Sequence, residues 1–270
     1  MRILITGANG FLGKEFKKYF SKEHEVLAYG REELDVAEAE EVFNFFENNE
    51  VDVILHAAFV GGKRNNDDNF FQFCQNTQAF KNLMTFKENK HLLFCFGSGA
   101  SYDRSITIRN VEEEWVNLSE PQDFYGKAKN MISRFIENHP YTNTYDFRLF
   151  GCFGKLEEPT RFIKNALSCV KKEIPIIVHK NKIMDFFYVK DLCKVIEYYM
   201  QNKSKQLPRS LNMCYEEKHS LLDIANMVKG EHPVNLINPG IEYYTGNGKR
   251  LAKLPVDLIG LENGIKEMKN

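Results

Sequence analysis

The sequence contains no apolar stretch approaching the ~20 residues needed to span a bilayer. It also has no Cys-x-x-Cys pair, no histidine spacing suited to a metal, and no excess of either charge. The first absence argues against a helical membrane span. The second and third leave Cys74, Cys95, Cys152, Cys169, Cys193 and Cys214 as reduced, inert thiols, several of them in apolar runs, and predict a site without metal. The balance of 36 basic against 37 acidic residues removes any general attraction to nucleic acid or to a membrane surface. Internal repeats and low-complexity segments are missing too. What remains is a 270-residue chain, 43% hydrophobic and 27% charged. That composition suits a globular protein of one domain, or a domain plus a small lobe. The chain opens on a core strand rather than a leader, and a cytoplasmic location is expected.

The opening strand, Arg2-Ile3-Leu4-Ile5, runs into Gly7-x-x-Gly10-x-x-Gly13 and then into an amphipathic pattern from Lys14 to Phe20. Strand, glycine turn and helix in that order describe a dinucleotide-binding turn. Gly7 permits the tight turn, Gly10 lets the backbone approach a pyrophosphate, and Gly13 lets the helix pack against the sheet. The helix N-terminus presents free N–H groups and partial positive charge to the phosphates. At the end of the second strand, Glu25–Tyr29, the sequence places Gly30-Arg31. An arginine there accommodates a 2′-phosphate, so NADP is expected, with NAD as the alternative and Lys14 as a helper. A solvated arginine at a loop start is the competing explanation.

Tyr125 and Lys129 stand four residues apart, on one face if the segment is helical. An ammonium near a phenol favours the phenolate and is expected to lower the Tyr125 pKa toward a working acid or base. By itself Tyr-x-x-x-Lys is ordinarily a solvated helix face. Beside the glycine signature it reads as a catalytic couple.

Strand and helix patterns alternate through the first two thirds of the chain. Apolar runs at 51–58, 91–96 and 145–150 are separated by helical patterns at 70–88 and 124–138. The prediction is an α/β fold: a doubly wound parallel sheet with helices on both faces, and its ligand at the carboxyl ends of the strands. Gly7, Ala57, Ser98 and Gly151 fall at those ends. A dinucleotide-binding domain is expected over 1–155 and a smaller substrate lobe over 156–270, with segments near 180–200 returning to the first part. In the second part helices are expected at 161–172, 189–201 and 221–229, separated by Pro175, Pro208, Pro233, Pro239 and Pro255. The polar run 65–69 reads as a solvated loop.

Thr6-Gly7-x-x-Gly10-x-x-Gly13, Asp35-Val36, His56-Ala57-Ala58, Asn76, Ser98, Tyr125-x-x-x-Lys129 and Asp185-Phe186-x-x-Val189-x-Asp191 occur in this order. As a set they resemble the extended short-chain dehydrogenase/reductase family of nucleotide-sugar epimerases, dehydratases and reductases. The resemblance covers roughly residues 1–200. It implies Ser98, Tyr125 and Lys129 as the catalytic trio: Ser98 on the sugar oxygen, Tyr125 exchanging its proton, Lys129 holding the nicotinamide ribose. For the cofactor it implies the turn residues Gly7, Asn9, Gly10, Phe11, Leu12 and Gly13. Arg31, Asp35 and Val36 would lie at the adenine end, followed by Ala57, Ala58 and Asn76. Substrate contacts are expected from Ser98 and Tyr102, with Arg161 and Arg250 gripping the diphosphate of a nucleotide sugar. A homodimer is the expected assembly.

Within the family, Arg31-Glu32-Glu33-Leu34-Asp35 and Phe59-Val60-Gly61-Gly62 look most like GDP-L-fucose synthase-like enzymes. Those use a cysteine two residues after the serine, and a later histidine, for epimerisation. Here Ala100 and Arg161 stand at those places. The Asp-Glu pair of the dehydratases is missing as well, since Gly99, Ala100 and Ser101 follow Ser98. The expected activity is NADP-dependent reduction of a 4-keto nucleotide-linked hexose in surface-sugar biosynthesis. The alternatives are a 4-epimerase with bound cofactor and, from another class, a dinucleotide-sensing regulator without turnover.

Overall fold

Ile3, Leu4 and Ile5 are all fully buried in the first strand, as they must be where both faces of a parallel sheet are covered. The structure, a computed structural model, describes residues 1–62, 68–139 and 143–269. The elements run β1 (Arg2–Thr6), α1 (Phe11–Phe20), β2 (Glu25–Tyr29), α2 (Ala39–Asn48), β3 (Val53–His56), α3 (Phe70–Phe86) and β4 (Leu92–Cys95). There follow β5 (Ile108–Val111), α4 (Phe124–Asn138), β6 (Thr144–Leu149), β7 (Cys152–Phe153), α5 (Phe162–Lys171), β8 (Ile176–Met184), β9 (Phe187–Tyr188) and α6 (Val189–Gln201). The chain ends with β10 (Ser210–Met213), α7 (Leu221–Lys229), β11 (Val234–Gly246), α8 (Lys249–Ala252) and α9 (Leu261–Lys269).

Six strands form the central sheet in the order β10-β6-β4-β3-β1-β2, each pair parallel. Alternate residues feed opposite cores, the two-residue period of a strand. Ile3, Ile5, Val53, Leu55, Leu92 and Phe94 pack under α1 and α6, against Phe16, Phe20, Leu192 and Ile196. Leu4, Ile54 and Leu93 pack under α2, α3 and α4, against Val42, Phe80, Leu83, Ile132 and Ile136. Each such side chain stabilises the fold by about 1.5–3 kcal/mol. This is the doubly wound arrangement the alternation predicts.

A three-stranded parallel sheet, β5-β11-β8, joins β5 from the first half to two strands of the second, with α5, α7 and α9 around a separate core that includes Ile163, Ile176, Ile224 and Ile265. α2, β5, β8, β10 and β11 lie beyond the sequence-based expectations. Pro239 reads as a break, yet it sits inside β11, where the register with β8 shifts between Asn238 and Glu242. A proline that cannot donate to a ladder is tolerated at such an irregularity. The polar run 65–69 lies outside the described residues through position 67, and Asn69 caps α3 by accepting from Gln72 N. Among the described residues no helix is long and apolar enough to cross a membrane.

Candidate active site

The glycine turn is shaped by close approach. Gly7 has φ +70°, and a Cβ there would fall 2.6 Å from Ala58 Cα. At Gly13 a Cβ would lie 2.3 Å from the Gly7 carbonyl oxygen, so the start of α1 can press onto the turn only with glycine. Gly10, the N-cap of α1, supplies no side-chain cap, and the first turn carries no acid. The N–H groups of Phe11, Leu12 and Gly13 therefore stand at the positive helix end without a side-chain partner. Phe11 and Leu12 pack their partly buried side chains against the cores.

From Gly7, Asn9 and Gly10 a cleft of about 380 Å³ runs past Arg31, Asp35 and Val36 on one side and Ala57, Ala58 and Asn76 on the other. The strand ends thus gather every residue expected at the adenine end. Arg31 Nε donates to Asp35 Oδ2 at 2.8 Å, and Ala37 N donates to Asp35 Oδ1 at 3.0 Å. Asn76 lines the same cleft. Its amide closes a two-way pair with the Val60 backbone, Val60 N to Oδ1 and Nδ2 to Val60 O, both 2.8 Å, so it shapes the cleft wall instead of reaching across it. A larger groove of about 770 Å³ between α3 and α4, lined by Phe80, Met84, Met131 and Phe135, lies away from the strand ends and holds none of these residues.

Ser98 follows β4 and caps a 3-10 turn, Gly99–Ser101, its Oγ accepting Ala100 N at 3.1 Å. Tyr125 is the second residue of α4, whose start is set by Asp123 accepting Gly126 N at 2.8 Å. The Tyr125 ring meets Phe59 edge-on at 5.3 Å and rests against Gly62, where a Cβ would come 2.6 Å from the ring. Lys129, one turn on, gives its ammonium to the Phe96 carbonyl at 2.7 Å and sits 3.4 Å above the Phe59 ring. Tyr125 and Lys129 thus both pack on Phe59, a residue of the cleft wall, and the Ser98 hydroxyl acts on Tyr125, favouring its ionisation.

The electrostatics differ from the sequence-based expectation. Tyr125 is raised from its ordinary pKa, because burial outweighs the Ser98 hydroxyl and the charges of Arg104 and Arg161, which favour ionisation. Lys129 does not lower it; that ammonium is turned to Phe96, 5.8 Å from the Tyr125 ring centroid. Burial lowers Lys129 itself to about 8, opposed by Asp146 and Cys95. His56, bonded to Thr6 Oγ1 at 2.9 Å, is pushed to about 3 by burial and then by Lys129, so it stays neutral beside the couple.

Two expected substrate ligands lie elsewhere. Tyr102 is only 2% exposed; its hydroxyl donates to Asn212 Oδ1 at 2.8 Å and accepts from Arg148 Nη1 at 3.0 Å, while its ring stacks on Phe150. It belongs to the core behind the site. Arg250 is bound by carboxylates: Glu114, Glu113 at 3.5 Å and Glu137 at 3.7 Å. It ties α8 to the 113–117 turn and α4 instead of turning to a phosphate. Arg161 is the exposed N-cap of α5, and its charge favours ionisation of Tyr125. Arg148 is fully buried against Asp146 at 2.6 Å, so the Arg148–Gly154 segment meets the site through Phe150, not through the arginine.

Sequence reasoning missed Tyr244 and Arg104. Tyr244, on β11, packs its ring against Phe150 at 5.3 Å and faces Ser98, whose hydroxyl favours its ionisation. Arg104, paired with Asp123 at 2.8 Å, favours ionisation of both Tyr125 and Tyr244. Gly99 makes room for Tyr244: a Cβ there would lie 2.7 Å from the Tyr244 hydroxyl.

Known proteins share this architecture. The GDP-mannoheptose C4 reductase of Campylobacter jejuni, solved with NADP bound, superposes with a TM-score of 0.81 over 99% of this chain and 96% of its own, at 20% identity. A GDP-L-fucose synthetase of Naegleria fowleri bound to NADP superposes with a TM-score of 0.76 over 99% and 91%, at 19% identity. In sequence, the GDP-L-colitose synthase of Yersinia pseudotuberculosis is 25% identical over 250 residues, 84% of this chain and 81% of that protein. The signature of the NAD dependent epimerase/dehydratase family matches residues 3–214, and with its glycine turn, parallel sheet and Ser98–Tyr125–Lys129 cluster the chain belongs to that family.

Proposed function

We propose that the protein is an NADP-dependent reductase of a 4-keto nucleotide-linked hexose, working in the biosynthesis of surface deoxysugars. One observation carries this reading. Tyr125 and Lys129 pack on Phe59 in the wall of the cleft that begins at the glycine turn, with the Ser98 hydroxyl acting on Tyr125, while the position of an epimerase acid is Ala100, 1% exposed and without a proton to exchange. The relatives named above, a C4 reductase and two GDP-sugar synthases, support it.

The residues present fit a nicotinamide dinucleotide. A Cβ at Gly7 or Gly13 would fill the cradle, the uncapped α1 terminus suits a pyrophosphate, and Arg31 keeps its terminal nitrogens without a hydrogen bond among the described residues. When bound, NADPH supplies the hydride. The Ser98 hydroxyl would hydrogen-bond the carbonyl oxygen, and Tyr125 would pass its proton to that oxygen as negative charge develops there. Burial keeps Tyr125 protonated at neutral pH, the form that ketone reduction requires. Lys129 would hold ribose hydroxyls, while the Ser98 hydroxyl and the charges of Arg104 and Arg161 would favour the phenolate left behind. Arg161 and Arg104 would meet the substrate's diphosphate.

Residues 1–155, with the returning α6 and β10, form the cofactor part in this reading; the rest forms the substrate lobe. Free thiols at Cys95, Cys193 and Cys214 agree with a cytoplasmic location. For the expected homodimer, the α3–α4 face with its half-exposed Met131 offers a contact, and light scattering would measure it.

The test is NADPH absorbance with 4-keto-6-deoxyhexoses linked to GDP, UDP, CDP and dTDP. Stoichiometric NADPH consumption supports the reductase. Interconversion of nucleotide sugars without net consumption makes it a 4-epimerase. Cofactor binding with no turnover on any substrate favours the regulator.

A further inference from the structure

We propose that Tyr244 is a positioning residue of this site, fixing the Ser98 hydroxyl so that its proton points to the substrate carbonyl. The inference rests on the reductase reading and extends it to a residue from the other half of the chain. Ser98 Oγ has one proton and two lone pairs. Ala100 N donates into one lone pair at 3.1 Å. Beside that turn stands Tyr244 from β11, its hydroxyl 2.7 Å from where a Cβ on the adjacent Gly99 would lie, and the Ser98 hydroxyl favours ionisation of both Tyr244 and Tyr125 from α4. If Tyr244 donates to the remaining lone pair, the Ser98 proton has a single direction left, toward Tyr125 and the carbonyl oxygen between them.

Tyr244 is held for this task. Its ring packs against Phe150 at 5.3 Å with the Lys182 ammonium 4.9 Å from its centroid. Asp185 N donates to the Tyr244 carbonyl at 3.4 Å, and Asp185 Oδ2 accepts Gly246 N at 2.8 Å, anchoring the strand on both sides of the ring. Gly99 leaves the space into which the hydroxyl reaches, 2.7 Å from where a Cβ would stand. Among the described residues the Tyr244 hydroxyl makes no hydrogen bond, so its proton is available to Ser98.

Tyr244→Phe removes the hydroxyl and keeps the ring, so the packing survives. The expected result is a kcat lower by about tenfold, with KM for the keto sugar and for NADPH changed less than about twofold. In a Ser98→Ala background the same substitution should have no further effect on kcat, because the relay has already been cut. Independently of turnover, carbon-13 labelling of the tyrosine ring should show Tyr125, assigned with Tyr125→Phe, titrating at higher pH in Tyr244→Phe, since Ser98 no longer donates to it reliably. An additive loss in the Ser98→Ala background would reduce Tyr244 to packing. Unchanged kcat together with unchanged Tyr125 titration would overturn the proposal. If no keto sugar is turned over at all, the reductase reading fails, and the titration alone decides the role of Tyr244.

Discussion

Gly62 and Tyr125 meet so closely that a methyl group on Gly62 would lie 2.6 Å from the phenol ring, and Gly62 holds φ +71°, where a side chain is strained. The glycine therefore fixes where the acid stands. Gly62→Ala should push the Tyr125 ring from its place and lower kcat by about tenfold to 100-fold, since small misplacements at a reacting centre cost that much. NADPH affinity should change little, because the dinucleotide cleft begins beyond this contact. Steady-state kinetics alongside fluorescence titration of NADPH separates the two effects.

In the proposed reading, Arg31 selects between the two cofactors. With Nε on Asp35, its terminal nitrogens are available for a 2′-phosphate. Arg31→Ala should weaken NADPH about tenfold or more through loss of a charge-assisted contact, and NADH by less than about twofold. Equal weakening of both would leave Arg31 a solvated partner of Asp35.

The pH profile should be asymmetric. Tyr125, raised by burial, keeps its proton through neutral pH, whereas Lys129, lowered to about 8, loses its charge above that. The reductive rate should be flat from about pH 6 to 7.5 and fall above about 8, while the reverse oxidation should gain as the phenol ionises. Stability follows the opposite sign for Lys129. Between about 8 and 10.5 the unfolded chain binds the proton and the folded one does not, so this residue's contribution to stability rises with pH there. Lys129→Met should melt higher than the parent at pH 7, with the gap closing toward pH 10.

Arg250 should matter for stability alone. Removing its guanidinium leaves Glu113, 3% exposed, and Glu137 without that counter-charge. Arg250→Ala is expected to destabilise by about 1–3 kcal/mol. Nucleoside diphosphate binding should be unaffected, and thermal shifts with and without ligand measure both.

The parts of the fold and site that were legible in the sequence are those whose meaning is local. Gly7, Gly10 and Gly13 signal a turn because strand and helix flank them, and Tyr125 and Lys129 share a helix face. The buried strands announce themselves by continuous apolar runs. Arg250 was misread because a guanidinium near glycines looks the same whether it meets a phosphate or the distant Glu113, Glu114 and Glu137. Tyr102, placed by analogy beside Ser98, is claimed by Asn212, which only the sheet topology brings near. Tyr244 was invisible for the same reason: nothing in Tyr243-Tyr244-Thr245 reveals that β11 ends against Ser98. β8 and β11 escaped notice because their exposed, charged residues and Pro239 resemble loops until the strands are paired.

β10 closes the edge of the central sheet, pairing Ser210–Met213 with residues 146–149, and brings partners for groups synthesised long before it. Ser210 Oγ meets Arg148 Nη2 at 3.2 Å, Asn212 N meets Glu113 at 2.9 Å, and Asn212 receives Tyr102. A nascent chain that has emerged only to β6 thus holds a buried guanidinium, a carboxylate and a phenol awaiting partners, and an open strand edge that can pair with other chains. The central sheet is therefore complete only once residue 213 has been made, and closing so long a loop is the kind of non-local pairing that lowers folding rates.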